Sequence, residues 1–317
     1  VDDSADGSPA PDLSDRAAEV LRTAPPAAIP VPLNRLTIHL VRLAVRRRSR
    51  ELLAEARALH PVRTSRTEVG VCPVTVVEPA AHDADEVLVY LHGGAFVLGE
   101  PVDPVVVQLA ARTGLRCLSV HYPLAPERRA PAALDRVETA WRALTADRPG
   151  RPLLVGTSAG GNLALGLVQR LLADGSTAVQ PSALALLSPA ADLHDFAGDR
   201  LANEGLDPVI RWTGMLDKAL PAYLGDRPAD DPEVSPVLGD YTGLTCPVLL
   251  TTAGVDLLRP DVVALARTLE AQGVDVRLDD QPSLWHLYQQ QAVMPEAQAS
   301  VGRLVAFLDA ARGSAPR

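Results

Sequence analysis

An α/β protein, with a mainly parallel central sheet covered by helices on both faces, is the fold class this sequence predicts. Three observations carry the prediction. Past Pro61, short β-branched runs alternate with longer amphipathic stretches. The runs are nearly continuously apolar, as strands buried on both faces must be. Two stretches of helical spacing, before residue 60 and at 199–225, fall outside the alternation and need a place of their own.

The opening "VDDSADGSPAPDLSD" is acidic, small and proline-bearing, and reads as a disordered tail over residues 1–11. Residues 12–60 form an N-terminal helical segment, with helical spacing from Leu33 to about His60. Its "VRRRSR" run offers charge to an anionic partner or membrane surface, but a solvated helix face accounts for it in a chain this acidic. Strands follow at "VTVVE", "EVLVYLH", "LRCLSVHY", "PLLVG", "ALALLSP", "PVLLTTAG" and "VDVRLDD", the first one or two pairing antiparallel at an edge. Helices are expected near 103–113, 131–145, 159–173, 260–272 and 295–311. Residues 199–225 interrupt the order with a helical insertion, leaving 61–317 as the core. A chain of 317 residues is long for one domain, and one large core with an insertion fits it.

A net charge of −9 argues against a nucleic-acid groove, which needs a concentrated basic surface. No apolar stretch approaches the length that spans a bilayer. Cys72, Cys117 and Cys246 lack metal-ligand spacing and read as reduced core residues of a cytoplasmic protein. No signal peptide is visible, and the start at Val1 leaves a removed leader open. No metal or cofactor is expected.

In such sheets ligands bind beyond the carboxyl ends of the strands, so reactive residues there matter most. "PLLVGTSAGGNLALGLVQRLL" runs strand, sharp turn, helix around Gly156-Thr157-Ser158-Ala159-Gly160, a G-x-S-x-G pattern. A serine N-cap between packing glycines is the bland reading. A nucleophile on a strained strand-to-helix turn explains more, because only small neighbours allow so sharp a turn. The hydroxyl then needs a base. Of the seven histidines, His286 follows the last strand, and a short loop would bring it over the sheet's carboxyl edge. His194 is the alternative, but it precedes every plausible acid. His121 suits a packed role, while His39, His60 and His82 lie away from the strand ends. Asp256, directly after an apolar strand, is the choice to orient the imidazole, over Asp261, Asp279 and Asp280. Acyl transfer also needs fixed N–H donors, and "HGGA" after a strand supplies Gly93, Gly94 or Ala95, with Ala159 beyond the serine. Phe96 follows with an exposed look. Phe96 and Trp285 are the candidate substrate contacts, Trp285 on the alcohol side of the base.

"HGGAF", "HYPLAPE", "GTSAGGNLAL", "LLSPAADL", "DPEVSPVL", "AGVDLLRPD" and "WHLYQQ" occur in an order spanning residues 90 to 290. With them the chain resembles the hormone-sensitive-lipase-like (bacterial family IV) carboxylesterases of the α/β-hydrolase fold. "HGGAFVLG" and the Trp285-His286 pair are most similar to the monoterpene lactone hydrolase-like branch. The resemblance implies triad roles for Ser158, Asp256 and His286, and an oxyanion region of Gly93, Gly94 and Ala159. Ala95 stands where a third glycine is more frequent, and Thr157 where Asp is common, which puts a local hydrogen bond in doubt. The resemblance also implies a helical cap from 12–60 and 199–225. The implied activity is serine esterase or lactonase chemistry on a small-molecule ester or lactone with a short or compact acyl group. A biosynthetic cyclase or dehydratase, or lactone-forming acyl transfer, on the same fold is the alternative. A binding protein is the third class, since gibberellin receptors resemble the family but lack the histidine that His286 supplies here. Similar enzymes form homodimers through the sheet edge or last helix, and no feature of this sequence selects an oligomeric state.

Overall fold

The computed structural model of the chain describes residues 13–23, 29, 33–81, 83–146, 150–176, 179–194 and 198–313. The tail expected over 1–11 and His82 lie outside them. The strands β1 (Arg63–Val69), β2 (Cys72–Glu78), β3 (Asp83–Leu91), β4 (Leu115–Val120), β5 (Leu153–Thr157), β6 (Leu184–Leu187), β7 (Val248–Ala253) and β8 (Val276–Gln281) build one sheet. Its order is β1-β2-β4-β3-β5-β6-β7-β8. β1–β2 and β2–β4 pair antiparallel, and every later pair is parallel.

β1 has no counterpart among the apolar runs. Its side chains are exposed along almost its whole length, so no burial imposes an apolar pattern on it. The pairing fixes it instead, from Arg63 opposite Glu78 to Val69 opposite Cys72, across a turn where Gly70 takes φ 58°.

The inner strands alternate between two apolar layers, as the pleat requires. From β3, Val89 and Leu91 face one layer with α4 (Ala132–Thr145), α5 (Ala159–Ala173) and α7 (Arg259–Ala271). Leu88 and Tyr90 face the other, with α3 (Pro104–Thr113) and α8 (Pro295–Gly313). Each fully buried leucine or valine here contributes about 1.5–3 kcal/mol. α3 shows why a helix starts where it does. Asp103 accepts the N–H groups of Val105 (2.9 Å) and Val106 (3.0 Å), Pro104 has no N–H that needs an acceptor, and Gly114 at φ 71° ends the helix.

The N-terminal segment contains α1 (Asp15–Thr23) and α2 (Ile38–Leu59). Glu296 of α8 ties α1 down, accepting from Ser14 N at 2.7 Å and Ser14 Oγ at 2.8 Å. In the "VRRRSR" run Arg46, Arg47 and Arg50 are exposed, and Arg46 pairs with Glu100. The insertion is less helical than its spacing suggests. One α-helix, α6 (Asp217–Leu224), follows short turns, and Thr213 and Gly214 are non-helical. Asp207 breaks the helical pattern by taking the N–H groups of Val209 (2.7 Å) and Ile210 (3.1 Å) on its side chain. Among the described residues no helix is long and apolar enough to cross a membrane.

Candidate active site

Ser158 sits between β5 and α5 with φ 50° and ψ −116°, a conformation costing a non-glycine residue about 1–3 kcal/mol. The surroundings impose it. Ser158 N donates to Leu187 O at 2.8 Å, and Ser158 O accepts from Gly161 N (2.9 Å) and Asn162 N (3.1 Å). The flanking glycines are steric necessities. A Cβ on Gly156 would lie 2.6 Å from Gly160 O, and one on Gly160 would lie 2.0 Å from Leu91 O. The α5 N-terminus below the hydroxyl favours negative charge.

Loops after β7 and β8 bring two more groups to this turn. His286 Nε2 lies 3.0 Å from Ser158 Oγ, and His286 Nδ1 lies 3.0 Å from Asp256 Oδ1. Ser158, Asp256 and His286 are all buried. With the carboxylate beside Nδ1, the neutral ring carries its proton there, and Nε2 accepts from the serine hydroxyl. Asp256 is held in turn by Leu258 N, which donates to Oδ1 at 2.9 Å. Burial alone would pull the imidazole pKa down. The charge and hydrogen bond of Asp256, joined by the charge of Asp207, outweigh that and hold it above 6.5.

The loop after β3 faces the same hydroxyl. A Cβ on Gly93 would meet Ser158 Cβ at 3.2 Å, so the bare backbone lies against the serine. Gly94, Ala95 and Phe96 have φ of 125°, 50° and 63°, and this sharp turn is closed by Val97 N and Leu98 N donating to Gly94 O. Among the described residues, no acceptor takes the N–H of Gly93, Gly94 or Ala95. Ala159 opens α5, where first-turn N–H groups have no partner inside the helix. His92 braces the loop. It stacks on Tyr122 at 4.3 Å, its Nδ1 lies 2.8 Å from Gly93 O, and burial lowers its pKa to about 4, so it is neutral. Thr157, at the position where the resembled family commonly has Asp, places its hydroxyl 3.3 Å from Tyr90 Oη, which donates to Asp103 at 2.6 Å.

A cavity of about 1090 Å³ opens over Ser158 and His286. α1, α2 and residues 208–220 contribute to its walls. Phe96 lines it but is not exposed: its positive φ turns the ring inward, onto the Tyr223 ring at 3.8 Å and 6°. Trp285 is placed differently from the sequence expectation. It is not among the residues lining the cavity; it is buried with Ala17, Leu284, Tyr288 and Met294, beneath α1. Its neighbour His286 points into the site, and the turn sends the indole the other way. His194 is exposed and does not line this cavity, and His121 Nε2 is engaged by Thr75 Oγ1 at 2.7 Å. Asp261 is buried against Arg200. Among the described residues no cluster of three or more His, Cys, Asp or Glu could hold a metal ion. Sequence reasoning missed Asp207, whose Oδ2 accepts His286 N at 3.0 Å and Leu257 N at 3.3 Å. Its only signal was a carboxylate in an apolar stretch, "LDPVI".

A serine hydroxyl, an imidazole and a carboxylate in series, beside bare N–H groups at the carboxyl edge of the parallel strands, form an arrangement chemically able to carry acyl transfer. The alpha/beta hydrolase fold family is matched over residues 88–290. An acetyl-hydrolase of Streptomyces hygroscopicus is 32% identical over 77% of this chain and 82% of its own. The carboxylesterase NlhH of Mycobacterium tuberculosis is 30% identical over 83% of this chain and 87% of its own. Among solved structures, the esterase of Pyrobaculum calidifontis superposes with a TM-score of 0.82, at 25% identity over 93% of this chain and 97% of that one. The chain belongs to the alpha/beta hydrolase fold family. It is an enzyme of the esterase class, acting on carboxylic ester bonds.

Proposed function

We propose that the protein is a serine esterase working through an acyl-enzyme, with Ser158 as nucleophile, His286 as base and Asp256 as orienter. The observation that carries this reading is the unbroken series Ser158–His286–Asp256, with both links at 3.0 Å, in a buried site open to one cavity. Ser158 Oγ attacks the ester carbonyl carbon while its proton passes to His286 Nε2. Asp256 stabilises the imidazolium. The carbonyl oxygen, now an oxyanion, takes N–H donors from Gly93 or Gly94 and from Ala159. Collapse breaks the C–O bond, and the proton on His286 leaves with the alcohol. Water, deprotonated by His286, attacks the acyl-enzyme through the same oxyanion geometry and frees the acid.

The substrate side follows from the walls. Leu193, Val209, Ile210, Leu216 and Leu220 form an apolar side. Each acyl methylene buried there contributes about 0.8 kcal/mol until the chain meets a wall. Short or compact acyl groups fit, and a compact lactone is cleaved by the same steps with its alcohol retained on the acid. α2 and the insertion act as the cap. The three buried free thiols fit a reducing compartment, the cytoplasm.

The test is organophosphate labelling followed by peptide mapping, with a panel of 4-nitrophenyl esters and lactones. Stoichiometric label on Ser158, a loss of several orders of magnitude in kcat in Ser158→Ala, and a kcat/KM peak at about four to eight acyl carbons are expected. Label on another residue, or turnover by Ser158→Ala near that of the parent, refutes the assignment.

A further inference from the structure

The four hydrogen bonds of one buried side chain go to three different parts of the site. Asp207 is 2% exposed and lies in the irregular part of the insertion. One carboxylate oxygen takes Val209 N and Ile210 N, at 2.7 and 3.1 Å, and both residues line the apolar side of the cavity. The other takes Leu257 N, next to Asp256, and His286 N itself, at 3.3 and 3.0 Å. A carboxylate with all its acceptor sites filled by backbone donors is fixed in place, and it fixes them in turn.

We infer that Asp207 is a positioning residue that locks the acyl-side wall of the cavity to the loops carrying His286 and Asp256, and that its charge acts on His286. The inference rests on the triad roles proposed above. Burial and the neighbouring Asp256 charge raise the Asp207 carboxyl pKa, while the four N–H groups favour its charged form. The groups facing His286 are Asp256 from the β7 loop, Asp207 from the insertion and the Ser158 hydroxyl from the turn after β5. Behind Asp256 lie Asp261 of α7, paired with Arg200, and Asp192 after β6. Removing the Asp207 charge therefore removes one of two anions that favour the imidazolium, and an Asn there turns an N–H toward donors that need an acceptor.

The experiment measures the rate of Ser158 inactivation by an organophosphate across pH, which reports His286 ionisation without any ester substrate. In the intact protein the rate falls on the acid side as His286 takes a proton. In Asp207→Asn that limb should move to lower pH, and the plateau should fall by about 10- to 100-fold, the scale of a misplaced catalytic group. Asp207→Glu keeps the charge but not the geometry, so its limb should stay while its plateau falls. Asp261→Asn removes another buried carboxylate and serves as comparator, with its limb unmoved. A limb in Asp207→Asn that coincides with the parent's overturns the inference. Should that variant not fold, Asp207→Glu decides: a parental plateau overturns it, and a lowered plateau with an unmoved limb supports it. Failure of the parent to be labelled at Ser158 overturns the triad roles and this inference with them, whereas labelling of the parent at Ser158 with an unmoved limb in Asp207→Asn overturns only the inference.

Discussion

Gly160→Ala is the sharpest test of why the turn after β5 is built from glycine. The added methyl carbon would lie 2.0 Å from Leu91 O and 2.5 Å from His92 O, where contacts under 3.0 Å are essentially never seen. Both obstacles are backbone, at the end of β3 and the start of the loop bearing Gly93, and no rotamer change relieves them. Reaching 3.0 Å from Leu91 O requires the serine turn and that loop to part by about 1 Å, a misplacement worth about 100-fold in rate. Loss of one oxyanion donor costs about 100- to 1000-fold, so kcat should fall within that range. Overpacking of this kind costs about 1–3 kcal/mol in stability, a modest drop in Tm. Gly166→Ala is the matched comparison, since its methyl would meet the end of the Leu134 side chain at 3.0 Å and Glu233 O at 3.2 Å, contacts that a shift of a few tenths of an ångström relieves. The assay is ester hydrolysis together with thermal unfolding of both variants. A Gly160→Ala enzyme whose kcat lies within about threefold of the parent would refute the argument that this contact sets the serine against the donor loop.

His286 and Trp285 give two more tests. With the His286 pKa held above 6.5, kcat/KM should fall as pH drops through a limb above that value, because the imidazolium cannot accept the serine proton. His286→Ala should approach the Ser158→Ala level, while the exposed His194→Ala stays active; the reverse ranking would move the base. Trp285→Ala should cost about 3–5 kcal/mol in unfolding measurements, as loss of a buried indole does. Its ratio of kcat/KM between small and bulky alcohol esters should stay within about twofold, and a larger change would put Trp285 back in the substrate site.

What the sequence made readable was local. The turn at Ser158 needs small residues at Gly156 and Gly160, and a steric demand within five residues leaves its mark on those residues. Strands buried on both faces carry apolar runs, so β3 and β5 to β7 stand out, whereas β1 is solvated and carries no such mark. Asp207 is the opposite case. Its partners come from residues up to 79 positions away, and nothing around "LDPVI" encodes that. Phe96 and Trp285 show a third limit. Adjacency to the donor loop and to His286 gave their neighbourhood but not their direction, which φ 63° sets for Phe96 and the packing under α1 sets for Trp285.

The thiols have a practical consequence. Cys72, Cys117 and Cys246 are all buried and unpaired, and burial raises the pKa of each, that of Cys246 to about 12. Alkylating reagents attack the thiolate, so near neutral pH the native thiols should react only slowly with maleimides. A single cysteine introduced at the exposed Arg47 position of α2 would then be the one handle on the surface of the described chain. A fluorophore or spin label there would report α2 motion against the hydrolytic core during turnover, with no need to strip the native thiols first.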